Sequence, residues 1–97
     1  MDRKIPESVG DVLRNFLEST SLQHRMEELQ AASNWASIVG DHIASLTSKP
    51  AVKNGVMQVG VPNASLRNEL HMHRTRLKEL LNQSIGKDII KEIRFTS

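Results

Sequence analysis

Three cations and one histidine recur at helical spacing in the second half of the chain. They are Arg67, His71, Arg74 and Lys78, and each follows the previous one by three or four positions. Because a helix turns by about 100° per residue, this spacing places all four on one flank. Such a row can contact successive phosphates of a polyanion through electrostatic, salt-sensitive and sequence-tolerant interactions. The alternative is an exposed helix face that has no ligand.

Four further cations are candidates for extending this row. One lies at the tip of a predicted hairpin and three lie near the C-terminus: Lys53, Lys87, Lys91 and Arg94. Residues 1–48 carry four Lys/Arg and seven Asp/Glu, whereas residues 49–97 carry nine and four. A basic half favours a polyanion such as a nucleic acid, although an unequal solvated surface would have the same composition.

Motifs for catalysis are scarce. The sequence contains no G-x-x-x-x-G-K phosphate loop, no G-x-S-x-G and no H-E-x-x-H. It has no cysteine for a disulfide or a thiolate metal site. His71 and His73 are two positions apart, so on a helix they point in different directions and cannot chelate one ion. We expect a protein that is not an enzyme and that uses no cofactor, metal or small-molecule substrate.

Aromatic residues make up 3% of the chain, with one tryptophan and no tyrosine. A surface built for base stacking is therefore not expected. Trp35 is expected to pack in the core or to anchor a contact with a protein partner, because a lone tryptophan on a helix usually packs.

The elements that must position these residues can be predicted from their patterns. Residues 1–7 are a polar lead-in, predicted to be flexible. Ser8 is a candidate cap for a first amphipathic helix with apolar positions Val9, Val12, Leu13, Phe16 and Leu17. A second helix is predicted from Leu22 to about Val39, followed by a short turn of helix after Asp41.

The pattern then changes to strands. Asn54-Gly55 between short apolar runs predicts a hairpin, with Met57, Val59 and Val61 on its buried face. Asn63 is the predicted cap of one long helix over residues 63–84. Its buried stripe is predicted to contain Leu66, Leu70, His73, Leu77 and Leu81. The segment Ile89–Phe95 predicts a last strand, with Ile93 and Phe95 facing inward.

The predicted order is α-α-β-β-α-β. Helices covering one face of a three-stranded mixed sheet would form a two-layer α+β domain, here a single domain over residues 1–97. A right-handed crossover through the long helix makes the second and third strands parallel. No run approaches the ~18 apolar residues of a membrane span, and the N-terminus lacks a signal peptide's apolar core. We expect a cytoplasmic protein without a membrane partner.

An ordered series of short motifs over most of the chain resembles the DciA family, and within it the short single-domain members of the Bacteroidetes group. The series is Trp35-x-x-Ile38-Val39-Gly40, Ile43-Ala44, Thr47, Pro50, Asn54-Gly55, Met57-x-Val59-x-Val61, Leu66-Arg67-Asn68-Glu69-Leu70, Leu81-Asn82 and Ile90-x-x-Ile93-Arg94-Phe95. The resemblance implies a KH-like fold. It also implies a partner, the replicative helicase of the DnaB type, which such proteins help to place on single-stranded or forked DNA without ATP. No pair of glycines has the G-x-x-G spacing of nucleic-acid-binding KH domains, so DNA would contact another surface, such as the basic helix flank.

Two other functions fit the residues. One is an RNA-binding, ribosome-associated KH-like module, which would use the same cations. The other is a pure protein-interaction domain that self-associates through the first helix or through the face around Trp35.

Overall fold

The computed structural model describes Val9 and residues 21–97 of the chain. Residues 21–97 form helices α1 (Ser21–Val39), α2 (Asp41–Ser45), α3 (Ala64–Met72) and α4 (Arg74–Ile85), and strands β1 (Ala51–Lys53), β2 (Val56–Gly60) and β3 (Glu92–Thr96). Apart from Val9, the predicted lead-in and first helix lie outside the described residues.

The three strands form one mixed sheet in the order β1-β2-β3. β1 and β2 are antiparallel, and β2 and β3 are parallel, as the crossover predicts. The turn between β1 and β2 has φ 52 at Asn54 and φ 82 at Gly55, the left-handed geometry that an Asn-Gly hairpin turn requires. The predicted hairpin and strand directions are therefore confirmed.

Helices cover one face of the sheet. Alternate strand residues are buried beneath them, including Met57 and Val59, which are fully buried, and Ile93. Trp35 from α1 and Leu81 from α4 complete the centre of this core. The opposite face, which carries the exposed Gln58 and Arg94, is open in the described part of the chain. The domain is thus a two-layer α+β fold, as predicted.

The long helix predicted over residues 63–84 is wrong, because it is broken at His73. That residue has φ −100 and ψ 13, and its N–H is shared between the carbonyl oxygens of Glu69 and Leu70 at 3.3 and 3.1 Å. His73 is exposed rather than on the buried stripe. An unbroken helix would aim this imidazole at the core with the leucines, where its polar nitrogens would need partners. The predicted cap at the other end is confirmed, since the Asn63 side chain accepts the Leu66 N–H at 2.9 Å.

Two polar side chains fix the position of β3. Asn82 on α4 is buried, and its amide donates to the Ile90 carbonyl at 3.0 Å and accepts the Ile90 N–H at 2.7 Å. At the next residue, the Lys91 N–H donates to the Gly55 carbonyl at 2.7 Å. The entry to β3 is therefore held both by the helix before it and by the hairpin.

A buried carboxylate ties α1 to the same hairpin. Glu28 is 2% exposed and accepts the Gly55 N–H at 2.8 Å and an Arg25 N–H at 3.2 Å, while His24 lies 3.0 Å away. Burial by itself would raise the pKa of the Glu28 carboxyl, but the Gly55 N–H, Arg25 and His24 hold that pKa below its ordinary value. The charged form of Glu28 is therefore the one that the fold stabilises.

Glu28→Gln tests this contact. At neutral pH the substitution should lower the free energy of unfolding by about 1–3 kcal/mol, because a neutral amide replaces a buried, charged acceptor. With a lowered pKa in the folded state, the stabilisation is present above the ordinary value of 4.5 and is lost as the pH falls through the lowered pKa. Denaturant unfolding at neutral pH and at about pH 3 should show the difference between the two proteins shrinking in acid.

Glu79→Gln is the matched control, because Glu79 is exposed on α4. Its effect should stay within about 0.5 kcal/mol at neutral pH. A Glu28→Gln effect that is equally large in acid would show that the carboxylate charge is not what the contact uses.

Candidate nucleic-acid interface

The predicted cation row is divided between two helices. Arg67 and His71 lie on α3, and Arg74 and Lys78 lie on α4, on either side of the break at His73. His71 and Arg74 are exposed, and the other two are half-buried. All four therefore remain accessible to solvent while the leucines of both helices pack inward.

Two surface depressions bring this row against β3. The first has a volume of about 300 Å³ and is lined by Ala64, Arg67, Asn68, His71 and Phe95. The second, of about 110 Å³, is lined by Arg74, Thr75, Lys78, Lys91, Glu92 and Ile93. The first borders the end of β3 and the second borders its beginning. We call Arg67, His71, Arg74, Lys78 and Lys91 together the cationic groove.

β3 contributes an open edge to this groove. It pairs with β2 on one side only, and within residues 21–97 no further strand pairs with it. The row of cations on α3 and α4 thus follows an unpaired strand edge from one end to the other. A linear polyanion fits such a surface better than a compact ligand does, because the charges are arranged along a line.

Both guanidinium groups of the groove are held by backbone oxygens. Arg67 Nη1 donates to the Val61 carbonyl at 2.8 Å, and Arg74 Nη1 donates to the His71 carbonyl at 2.9 Å. A carbonyl oxygen is neutral, so these hydrogen bonds orient the side chains without cancelling their charge. The remaining N–H groups of each guanidinium are still able to donate to a ligand.

Three of the groove cations have no carboxylate partner in the described part of the chain. Among residues 21–97, no carboxylate oxygen lies within 4.0 Å of the charged nitrogens of Arg67, Arg74 or Lys78. Lys91 reaches Asp88 at 4.0 Å, but both side chains are largely exposed. Exposed pairs of this kind are weak, so Lys91 can exchange its partner for a phosphate at little cost.

Three of the four proposed extensions lie elsewhere, and only Lys91 joins the groove. Lys53 and Arg94 line a depression on the open face of the sheet. Arg94 Nε also donates to Glu92 at 2.7 Å, which lowers the pKa of the Glu92 carboxyl. Lys87 is 2.8 Å from Glu27 on α1, and this pairing lowers the pKa of the Glu27 carboxyl. Lys53 and Arg94 therefore lie on another face and Lys87 pairs with α1, whereas a role for these three residues in binding a nucleic acid stays a prediction.

Trp35 is a core residue, which is one of the two roles predicted for it. Its indole is 2% exposed and donates to Thr47 Oγ1 at 3.2 Å. It therefore has almost no surface to offer a protein partner, and its assignment as a partner-binding residue has no support in the fold.

Sequence reasoning did not assign two residues that line the first depression to the candidate site. Phe95 faces inward and packs against the core as predicted, but it is only partly buried and also lines this depression. Asn68 lines the same depression, next to Arg67. The sequence offered one signal for Asn68, because it directly follows Arg67, the first cation of the row.

The described residues contain neither a metal-binding cluster nor a membrane-spanning helix. No group of three or more His, Asp or Glu side chains in residues 21–97 is arranged to hold a metal ion. No helix of that part of the chain has both the length and the apolar composition needed to cross a bilayer.

The DciA family model, described as "Dna[CI] antecedent, DciA", matches residues 8–95. The chain belongs to the DciA family. This confirms the resemblance found in the motifs, and the match contains every residue of the cationic groove.

Curated relatives are distant but cover nearly the whole chain. A UPF0232 protein of Mycobacterium tuberculosis is 21% identical over 95 residues, which are 98% of this chain and 51% of the relative. One of Mycolicibacterium smegmatis is 23% identical over 93 residues, covering 96% and 48%. One of Mycobacterium leprae is 21% identical over 95 residues, covering 98% and 50%. This DciA chain spans about half the length of these relatives.

Lys78 and Lys87 allow a direct comparison of a groove cation with a paired one. Lys78→Gln should elute earlier from immobilised heparin and leave the melting temperature nearly unchanged, because Lys78 has no carboxylate partner in residues 21–97. Lys87→Gln should instead lower the melting temperature slightly and leave the elution from heparin nearly unchanged. Equal shifts in heparin elution for both variants would contradict the placement of the groove.

Proposed function

We propose that this DciA protein is a non-catalytic, ATP-independent accessory protein of replication initiation in the cytoplasm. It binds DNA through the cationic groove and binds a replicative helicase of the DnaB type through its folded surface, and so promotes helicase loading. Family membership supports the general role. The observation that carries the DNA part is the line of cations along β3, of which Arg67, Arg74 and Lys78 have no carboxylate partner within residues 21–97.

The groove favours contacts with phosphates over reading of base sequence. Its cations are Lys, Arg and His side chains in a row, and such contacts position a nucleic acid without selecting its sequence. An accessory protein that acts at any fork needs this kind of binding. A KH-like fold is part of the same proposal. Helices α3 and α4 are joined at His73, and the sequence contains no G-x-x-G loop.

Removing the groove charges tests the DNA contact. The triple variant Arg67→Gln, Arg74→Gln and Lys78→Gln should weaken binding to single-stranded and forked DNA by at least about tenfold at low salt. It should also reduce the slope of log K against log salt by about 2, since each lost phosphate contact in a single strand contributes about 0.7. Fluorescence anisotropy across a salt series measures both quantities.

The matched control removes three cations that lie outside the groove. Lys49→Gln, Lys53→Gln and Arg76→Gln change the net charge equally, and all three side chains are exposed. This variant should keep most of the affinity and nearly all of the salt slope. If both triple variants lose affinity equally, binding depends on net charge and not on the groove. Stronger binding of structured RNA in competition would favour the ribosome-associated alternative.

Helicase binding is tested separately. Calorimetric titration of the cognate DnaB-type helicase should detect a complex without ATP, and the groove triple variant should form that complex equally well. The same variant should then fail to stimulate helicase loading on forked DNA, because it binds the helicase but not the DNA. No detectable complex at high protein concentration would contradict the helicase part of the proposal.

A further inference from the structure

Phe95 is the one aromatic side chain of residues 21–97 that borders the cationic groove. Its ring packs against Trp35, with ring centroids 6.1 Å apart and planes inclined at 44°. The ring is nevertheless only partly buried, and it lines the first depression beside Arg67 and His71. An aromatic surface next to cations is therefore open to solvent at the end of β3.

The walls of this depression are polar and cationic. Arg67 and His71 provide positive charge, and Asn68 provides an amide that can both donate and accept hydrogen bonds. Within residues 21–97, the Asn68 side chain makes a single hydrogen bond, a weak 3.9 Å contact from its amide nitrogen to Met72 Sδ. The volume of about 300 Å³ is at the lower end of the range for small-molecule sites.

We propose that this depression, lined by Ala64, Arg67, Asn68, His71 and Phe95, seats one unpaired nucleobase of a bound DNA strand. The base stacks on Phe95, Asn68 bonds to its edge, and Arg67 and His71 contact the adjoining phosphates. The inference rests on the proposed DNA binding and deepens it. It makes the preferred ligand a single strand, because the faces of paired bases in a duplex are already covered by their neighbours.

The fold holds the parts of this seat in place before any ligand binds. Phe95 lies beside Val59 in the parallel β2–β3 pairing, and Trp35 supports its ring from the core. The Arg67 guanidinium is oriented by the Val61 carbonyl. A base therefore meets a fixed aromatic surface and a fixed cation, which limits the ordering that binding requires.

The test separates stacking from phosphate binding. Binding of a short oligothymidylate is compared with that of a strand of the same length and charge that carries abasic sites. The original protein should bind the strand with bases more tightly by about tenfold or more, as expected when a base stacks on an aromatic ring. Trp35, the only tryptophan, should change its fluorescence on binding of that strand alone, because it touches Phe95.

Phe95→Leu should lose most of this preference and bind the abasic strand as the original protein does. Phe95→Tyr, which keeps the ring, should retain the preference. If the original protein has no preference, or if Phe95→Leu keeps it, the seat is wrong while DNA binding through the groove stands. If the original protein binds neither strand at low salt, the DNA-binding proposal is wrong as well.

A second measurement needs no substitution, in case Phe95→Leu does not fold. An oligonucleotide carrying 5-iodouracil is photocrosslinked to the original protein, and the adduct is located by mass spectrometry. An adduct on Phe95 supports the seat. Adducts confined to the open face of the sheet, or to α1, overturn it.

Discussion

The parallel pairing of β3 with β2 is the contact on which the rest of this structure depends. It buries Ile93 beside Met57 and so completes the core under the helices. Within residues 21–97 it also leaves the other edge of β3 without a partner strand, beside the cations of α3 and α4. The pairing is secured at its entry, where Asn82 holds Ile90 and Gly55 holds the next residue. The same strand therefore serves stability on one side and the candidate interface on the other.

The separation of leucines from cations on α3 and α4 explains how a small domain can do both. Leu70, Leu77 and Leu81 are buried, whereas Arg74 on the neighbouring flank is exposed. Within the described chain, Glu27 pairs with Lys87 and Glu92 with Arg94, which lie outside the groove, and Asp88 makes only a weak exposed pair with the groove residue Lys91. Arg67, Arg74 and Lys78 have no carboxylate partner within residues 21–97 and therefore keep their charge available to a ligand.

Local patterns were sufficient to predict much of the fold. Asn54-Gly55 predicted the hairpin, Asn63 predicted the cap of α3, and alternation in β2 predicted its buried face, because each depends on neighbouring residues only. The break at His73 was not predictable from helical periodicity, since the spacing of the leucines continues across it. The ion pair of Lys87 with Glu27 joins residues far apart in sequence, so no pattern indicated it. The position of Arg94 could have been predicted from the sequence. It lies between the inward-facing Ile93 and Phe95, and alternation along a strand places it on the open face.

The proposed interface places a DNA strand along β3, against α3 and α4. Titration of the isotope-labelled protein with a short single-stranded oligonucleotide, followed by amide chemical shifts in NMR spectra, tests this placement. The largest shifts should occur in residues 67–78 and 91–95. Shifts concentrated in α1 or around Lys53 and Gln58, with the amides of residues 67–78 unchanged, would contradict it.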